Sequence, residues 1–214
     1  SIIKLDTIDI PSPFGPLPLL SGIFTIMWLG LTMNALNWFD GIPGQVSSIS
    51  TIGFLMLGLL AFSSRVNQPE LGLIAFILAG IALACVMFDF PPPRVLMGDT
   101  GAMFFGLMLG VLGIYQGGKV ATAFLALGIP LVDAFFVITR RILRGSSPFK
   151  GDRDHLHHRL LARGWSARSI VILIAVIGSA FGVTALFMTT VEKGIALIVL
   201  FFVTGVMTFI SRKT

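Results

Sequence analysis

The sequence predicts an all-α integral membrane protein, a polytopic bundle of about seven transmembrane helices. Two observations lead to this prediction. The 214 residues are 55% hydrophobic and only 12% charged, and the apolar residues form long runs separated by short polar stretches. Lipid offers no hydrogen bonds, so backbone groups that cross a membrane must pair within their own segment, which favours helices. Cys85 is the only cysteine, which excludes an intramolecular disulfide.

The apolar runs can be justified one by one along the chain. They lie at residues 17–33, 47–62, 71–88, 102–115, 120–138, 170–188 and 195–210. The fourth run is short for a span, but its Gly106 and Gly110 have the GxxxG spacing that lets a neighbouring helix approach closely. Before the first run, the alternating stretch IIKLDTIDIP is typical of a strand or hairpin. We expect one transmembrane domain over residues 1–214.

The basic residues indicate which side of the membrane the polar segments face. If every run spans, residues 34–44, 89–101, 140–168 and 211–214 lie on one side. These segments contain 11 of the 15 Lys and Arg residues, so the positive-inside rule places them in the cytoplasm. The net charge of +5 is then a consequence of topology, and no nucleic-acid partner is needed. Active-site loops are expected on this cytoplasmic side, because the opposite loops are too short to hold a site.

The first of three polar motifs is NALNWFDGIPG, residues 34–44. Asn34, Asn37 and Asp40 are spaced by three, so a continuing helix would place them on about one face. Gly41 and Gly44 then end the helix and bring the backbone close to whatever binds there. The alternative is an ordinary helix exit rich in Asn and Asp.

The second motif is FPPPRVLMGDTGAM, residues 90–103, in which Gly98 and Gly101 leave the Asp99 carboxylate without bulky neighbours. Such a carboxylate can hold Mg²⁺, which needs only one or two carboxylates together with substrate phosphates and water. Asp99 or Thr100 could equally be the N-cap of the following helix.

The third motif, SPFKGDRDHLHHRLLARG, contains all three histidines of the chain. The spacing of His155, His157 and His158 matches no strong zinc pattern. Imidazole and guanidinium groups suit a diphosphate, whose negative charge they stabilise. A basic loop on anionic lipid head groups would explain the arginines but not three histidines in four positions.

Asp133 lies inside an apolar run, where a carboxylate is costly and therefore suggests a function. Arg140 follows seven residues later on the same helix face. A structural ion pair, a contact between helices and a catalytic role are all open for this residue.

Together, NALNWFDG, MGDTGAMFFG and SPFKGDRDHLHHRLLARG resemble the signatures of the polyprenyl-phosphate N-acetylhexosamine-1-phosphate transferase family. DHLHHRLL after PF is more similar to the N-acetylglucosamine-phosphate branch than to the phospho-N-acetylmuramoyl-pentapeptide branch. The resemblance implies transfer of a sugar phosphate from a UDP-sugar to undecaprenyl phosphate, with release of UMP. It also implies a place in the lipid of the bacterial inner membrane, at the first membrane step of cell-wall or lipopolysaccharide synthesis. A homodimer is compatible with it.

The resemblance also implies a role for individual residues. The cofactor would be Mg²⁺, or Mn²⁺ in its place, with Asp99 as the metal ligand. The residues implied beside the metal and the nucleotide are Asn34, Asn37, Asp40, Gly41 and Asp89. The residues implied to hold the phosphates are Arg153, His155, His157 and His158.

Several features depart from the family pattern. Nothing here corresponds to an Asp pair on an earlier cytoplasmic segment, so we expect the chain to lack the amino-terminal spans of the family. Pro43 replaces the usual second Asp of the first motif, and Asp89 and Leu96 stand where Asn and Phe are usual. We expect altered nucleotide contacts there.

Two rival functions follow from these features. A non-catalytic relative would bind a nucleotide sugar or a partner protein without releasing UMP. A transporter, suggested by Asp133 and the glycine-rich spans, would carry a solute across a liposome membrane.

Overall fold

The computed structural model describes residues 2–5, 8–11, 18–116, 120–145, 147 and 155–211. At the amino-terminal end, strands β1 (Ile2–Leu5) and β2 (Ile8–Pro11) pair antiparallel, with Ile3 opposite Ile10. The described residues also form nine helices. These are α1 (Pro18–Phe39), α2 (Gln45–Phe62), α3 (Pro69–Asp89), α4 (Gly98–Tyr115), α5 (Val120–Ala126), α6 (Gly128–Leu143), α7 (Leu156–Ala162), α8 (Ala167–Phe187) and α9 (Thr190–Ile210).

The membrane bundle predicted from the sequence is confirmed. Six described helices, α1, α2, α3, α4, α8 and α9, are long and apolar enough to cross a membrane, and α5 with α6 makes a seventh span if counted together. Helix α1 continues six residues beyond the first apolar run, to Phe39. Asn34 and Asn37 are therefore helical, as the spacing of the first motif predicts, and Asp40 is the first residue after the helix.

The prediction of one continuous helix over residues 120–138 is wrong. Helices α5 and α6 meet at an angle of 87°. Pro130, in the first turn of α6, has no N–H for the preceding turn, so the helix cannot continue unbroken. At Gly128 the α6 backbone packs so tightly against the Leu200 side chain that a Cβ would collide with it. The bend gives α6 a direction that the apolar pattern did not indicate.

The close helix approach predicted from GxxxG is confirmed. A Cβ added to Gly106 would lie 2.7 Å from the Met33 Cα, and one added to Gly110 would lie 2.6 Å from the Thr32 Oγ1. The Trp28 indole N–H donates to the Gly110 carbonyl across the same contact, at 3.1 Å. Helices α1 and α4 are therefore held backbone to backbone, which places the end of α1 beside the beginning of α4.

The three motifs meet at one end of the bundle, which we call the motif end. Helices α1 and α3 end there, and α2 and α4 begin there. Gly44, in the turn from α1 to α2, has φ +84°, a conformation that glycine adopts without strain. A Cβ on Gly44 would also lie only 3.1 Å from the Phe90 Cα and the Pro91 Cδ. The first and second motifs are thus in direct contact.

Candidate functional site

Three carboxylates lie within electrostatic range of one another at the motif end. Asp40 follows α1, Asp89 is the last residue of α3, and Asp99 is in the first turn of α4. Burial and, after it, the negative charges of Asp89 and Asp99 together raise the pKa of the Asp40 carboxyl from 3.8 to about 6. The negative charges of these carboxylates are unfavourable so close together and so far from water, and a bound cation would offset them.

The raised pKa of Asp40 makes a prediction for stability. Between about pH 4 and pH 6 the folded chain holds a proton on Asp40 that the unfolded chain has lost. The contribution of Asp40 to the free energy of unfolding therefore falls as the pH rises through this window. We expect Asp40→Asn to unfold at a higher temperature than the wild type at pH 7.5, and at nearly the same temperature at pH 4. Thermal unfolding in detergent at both pH values checks this, and an equal difference at both would contradict it.

Asp89 is fixed by the neighbouring helix. Its side chain is buried, and the Ser47 hydroxyl on α2 donates to its Oδ1 at 2.8 Å. A buried carboxylate needs such a partner, because desolvation without one is costly. Ser47 was not among the residues predicted from the sequence. Its signal was a group of polar residues, Ser47, Ser48, Ser50 and Thr51, at the beginning of a run that is apolar after them.

Asp99 keeps its carboxylate exposed. Helix α4 begins at Gly98 with Met97 as the N-cap residue, and no side chain makes a capping hydrogen bond there. The alternative that Asp99 or Thr100 is the N-cap is therefore wrong. The carboxylate is available to a ligand at the motif end.

The residues present fit Mg²⁺ better than a metal held by protein ligands alone. Among the described residues, no group of three His, Cys, Asp or Glu side chains could hold one ion. Mg²⁺ needs only one or two carboxylates and completes its shell with phosphates and water. Asp99, with Asp40 beside it, offers that donor set. The observation that supports a cation here is the raised pKa of Asp40, which is caused first by burial and then by the negative charges of Asp89 and Asp99.

His157 is buried inside the site rather than displayed on its surface. Its side chain packs edge-on against the Phe39 ring, with the ring centroids 5.7 Å apart, and it is fully inaccessible to solvent. Neither ring nitrogen has a hydrogen-bond partner among the described residues. Burial and, after it, the neighbouring His158 and His155 together lower the pKa of His157 to about 3. The ring is neutral at physiological pH, so it brings no positive charge to a phosphate.

The other two histidines flank this ring. His158, half-buried, lies with its ring centroid 4.2 Å from that of His157, and the His155 ring stacks on His157 at 5.8 Å. His157 and His158 lie on the short helix α7, and His155 is its N-cap residue. The expectation of a loop is therefore wrong for this part of the third motif. Arg153, which the resemblance implies as a phosphate ligand, lies outside the described residues.

Asp133 does not pair with Arg140. Its Oδ2 lies 2.8 Å from the His155 Nδ1, and its Oδ1 accepts the backbone N–H of Leu156 at 3.0 Å. Arg140 instead donates from Nε to the Phe136 carbonyl of its own helix, at 3.1 Å. Asp133, which looked isolated in the sequence, is thus paired with His155 of the third motif, although 22 positions separate the two residues.

Several buried polar atoms near the first motif have no described hydrogen-bond partner. They are the Asn37 Nδ2, both amide atoms of Gln45, and both ring nitrogens of His157. Asn34, by contrast, donates from Nδ2 to the Gly30 carbonyl at 2.7 Å, within its own helix. A buried polar atom without a hydrogen-bond partner lowers the stability of the fold, unless a ligand or a water molecule forms a hydrogen bond with it. Asn37 therefore fits a ligand contact better than Asn34, and Gln45 is a residue that the sequence reasoning missed.

An apolar cavity of about 330 Å³ adjoins Asp89. It lies between the end of α3 and the segment before α4. The lining residues are Ile81, Ala84, Cys85, Phe88, Asp89, Val95, Leu96 and Met97. Asp89 and Leu96, two of the residues that depart from the family pattern, therefore share the wall of one cavity.

Comparison with known proteins agrees with this arrangement. The sequence profile of Glycosyl transferase family 4 matches residues 1–117. A Bacillus subtilis protein named "Probable undecaprenyl-phosphate N-acetylglucosaminyl 1-phosphate transferase" is 30% identical over 196 residues, which cover 89% of this chain and 54% of that protein. The undecaprenyl-phosphate alpha-N-acetylglucosaminyl 1-phosphate transferase of Salmonella typhi is 30% identical over 92% of this chain and 58% of its own length. The protein of the same name in Escherichia coli K12 is 28% identical, over 86% and 54%.

The chain thus spans little more than half the length of the curated relatives it matches. The family profile nevertheless covers more than half of the 214 residues. It includes the first two motifs, which meet at the motif end. The chain belongs to glycosyl transferase family 4.

Proposed function

We propose that the protein transfers a sugar phosphate, N-acetylglucosamine 1-phosphate, from a UDP-sugar to undecaprenyl phosphate and releases UMP. The observation that carries the proposal is the meeting of Asp40, Asp89 and Asp99 with a histidine cluster at one end of a membrane bundle. Such a site combines ligands for a cation with groups that bind phosphate. The names of the relatives point to the same reaction.

The residues present suit this chemistry. An oxygen of the lipid phosphate attacks the phosphorus that bears the sugar, the bond from that phosphorus to the bridging oxygen breaks, and UMP leaves with the bonding electrons. Asp99 would hold Mg²⁺, which supplies charge screening across the diphosphate. His155 and His158 would bind phosphate oxygens, and Asn37 and Gln45 would offer amide groups to the nucleotide sugar.

The surroundings of the site suit a lipid acceptor. Asp89 is the one carboxylate that lines the apolar cavity, and the other lining residues offer an apolar wall to a hydrocarbon chain. The sequence segments that contain the three motifs carry the excess of Lys and Arg, which supports a cytoplasmic site on an inner-membrane protein. A soluble UDP-sugar and a membrane-bound phosphate would meet at this boundary.

The proposal is tested by measuring UMP release in membranes that contain this chain, undecaprenyl phosphate and Mg²⁺. UDP-N-acetylglucosamine and a panel of other UDP-sugars are offered in parallel. We expect release that requires the lipid, the metal and the sugar nucleotide together. Release without the lipid would indicate hydrolysis rather than transfer.

The same experiment separates the rivals. A folded, inserted chain that binds a UDP-sugar but releases no UMP would be a non-catalytic relative, and the proposed reaction would be wrong. The carboxylate that suggested a transporter is Asp133, and its hydrogen bonds to His155 and Leu156 account for it without a transported solute.

A further inference from the structure

Asp133 is a buried carboxylate that connects two separate elements. It lies on α6, inside the bundle, with none of its surface exposed. Both of its oxygens have partners: Oδ2 faces the His155 Nδ1 at 2.8 Å, and Oδ1 accepts the Leu156 N–H at 3.0 Å. A buried carboxylate is tolerated when its charge and its lone pairs are satisfied in this way.

The bend between α5 and α6 makes this contact. The 87° turn after Ala126 redirects α6, which packs against α1, α8 and α9, while α7 packs against α8 and α9. Asp133 and His155 are thereby brought together although 22 residues separate them. The described residues between them are 134–145 and 147, so the contact with Asp133 joins α6 directly to the described segment that begins at His155.

The contact determines which nitrogen of His155 can meet a ligand. A carboxylate oxygen accepts hydrogen bonds, so the contact with Asp133 favours a proton on Nδ1, and Nε2 is left without a partner among the residues that the structure describes. The imidazole is also held between Trp38, at 6.5 Å between ring centroids, and His157, at 5.8 Å. Its orientation is therefore set by three neighbours, only one of which can specify the protonated nitrogen.

The second hydrogen bond extends this control to α7. The Leu156 N–H belongs to the first residue of that helix, where backbone donors have no partner within the helix. His155, the N-cap residue, makes no side-chain capping bond. The Asp133 carboxylate supplies an acceptor from another helix, so the element that carries His157 and His158 begins at a point fixed by Asp133.

We propose that Asp133 is a positioning residue for phosphate binding: it holds His155 with Nδ1 protonated and Nε2 directed to the diphosphate, and it fixes the beginning of α7. This inference rests on the proposed function, in which His155 binds phosphate oxygens. Asp133 itself does not touch substrate. It acts through the tautomer and the orientation of His155, as an acidic residue does behind a functional histidine.

The direct test is spectroscopic. Nitrogen-15 NMR of histidine-labelled protein in lipid nanodiscs distinguishes a proton on Nδ1 from one on Nε2, and His155→Gln assigns the signal. We expect the wild-type His155 to be protonated on Nδ1. In Asp133→Asn, the amide oxygen can still accept from Leu156, but the amide N–H₂ can only donate to His155, so we expect the proton to move to Nε2. An unprotonated Nδ1 in the wild type, or the same state in Asp133→Asn, would overturn the proposal.

The kinetic test uses UMP release. We expect Asp133→Asn to lower kcat by about a hundredfold, the effect of a misplaced functional group, with KM for the UDP-sugar changed by less than about threefold. Thr122→Val is the matched control. Thr122 is a buried residue of the same broken span, and its hydroxyl accepts from the Lys193 ammonium at 2.7 Å, at the end of the bundle opposite the motifs.

The outcomes separate the two proposals. Thr122→Val with wild-type kcat and Asp133→Asn with the expected loss would support the positioning role. Asp133→Asn within about threefold of the wild type would overturn it and leave the transferase reaction standing. A wild-type protein that releases no UMP from any UDP-sugar would overturn the proposed function, and the tautomer measurement would then decide the Asp133 assignment by itself.

Discussion

Asp99→Asn is expected to lower UMP release by at least about a thousandfold, which corresponds to the loss of several kcal/mol of charge stabilisation that a bound metal provides. The Asp99 side chain is exposed in the first turn of α4 and makes no capping hydrogen bond. An amide of the same shape should therefore leave the fold intact. The change removes one negative charge and the anionic oxygen that Mg²⁺ prefers.

A second measurement makes this prediction independent of turnover. Mg²⁺ is expected to raise the unfolding temperature of the wild type, because it relieves the repulsion that Asp89 and Asp99 exert on Asp40. The increase should be much smaller in Asp99→Asn. Glu70→Gln is the matched control, since Glu70 is an exposed acid in the first turn of α3, away from the motif end. Normal turnover by Asp99→Asn, together with an unchanged response to Mg²⁺, would show that Asp99 does not bind the metal.

Gly41→Ala is expected to lower UMP release by about a hundredfold or more, because it displaces a histidine inside the site. A Cβ on Gly41 would fall on the His157 imidazole, at Nε2. His157 is enclosed by Phe39, His155 and His158 and cannot move aside at low cost. Overpacking of this kind costs about 1–3 kcal/mol, which lowers the unfolding temperature by several degrees in a chain of this size.

The control for Gly41→Ala is Gly30→Ala on the preceding helix. A Cβ on Gly30 would meet nothing within 4 Å, so this change should leave activity and stability nearly unaltered. A double variant tests the mechanism: in a His157→Ala background the added methyl has room, so the stability losses of the two changes should not add. Additive losses, or wild-type activity in Gly41→Ala, would show that the contact between Gly41 and His157 does not organise the site.

The sequence alone was sufficient for the membrane architecture. The length of each apolar run predicts a span because backbone groups in lipid must pair within their own helix, which is a local requirement. The GxxxG pair predicted the contact that joins α4 to α1, because small residues at that spacing let the backbone of a neighbouring helix approach closely. The alternation of sides along the chain was enough to predict that the three motifs share one end of the bundle.

The internal arrangement of the site was beyond the sequence. Asp133 could be noticed as a costly carboxylate, but its partner His155 could not be named, because the bend at α5 and α6 decides which side chains α6 meets. His157 resembled His155 and His158 in the sequence, and only the packing of Phe39 and Gly41 around it makes it buried and neutral.

The division has one physical reason. Helix formation in a membrane and the position of each span depend on interactions between residues a few positions apart. The spans, their close approach at Gly106 and Gly110, and the end at which the motifs lie could therefore be predicted from the residue pattern. The environment of a side chain depends on residues far along the chain, such as Ser47 and Asp89, which are 42 positions apart. The packing of the helices therefore establishes which carboxylates share a site, which histidine is enclosed, and which buried acid contacts the histidine beside it.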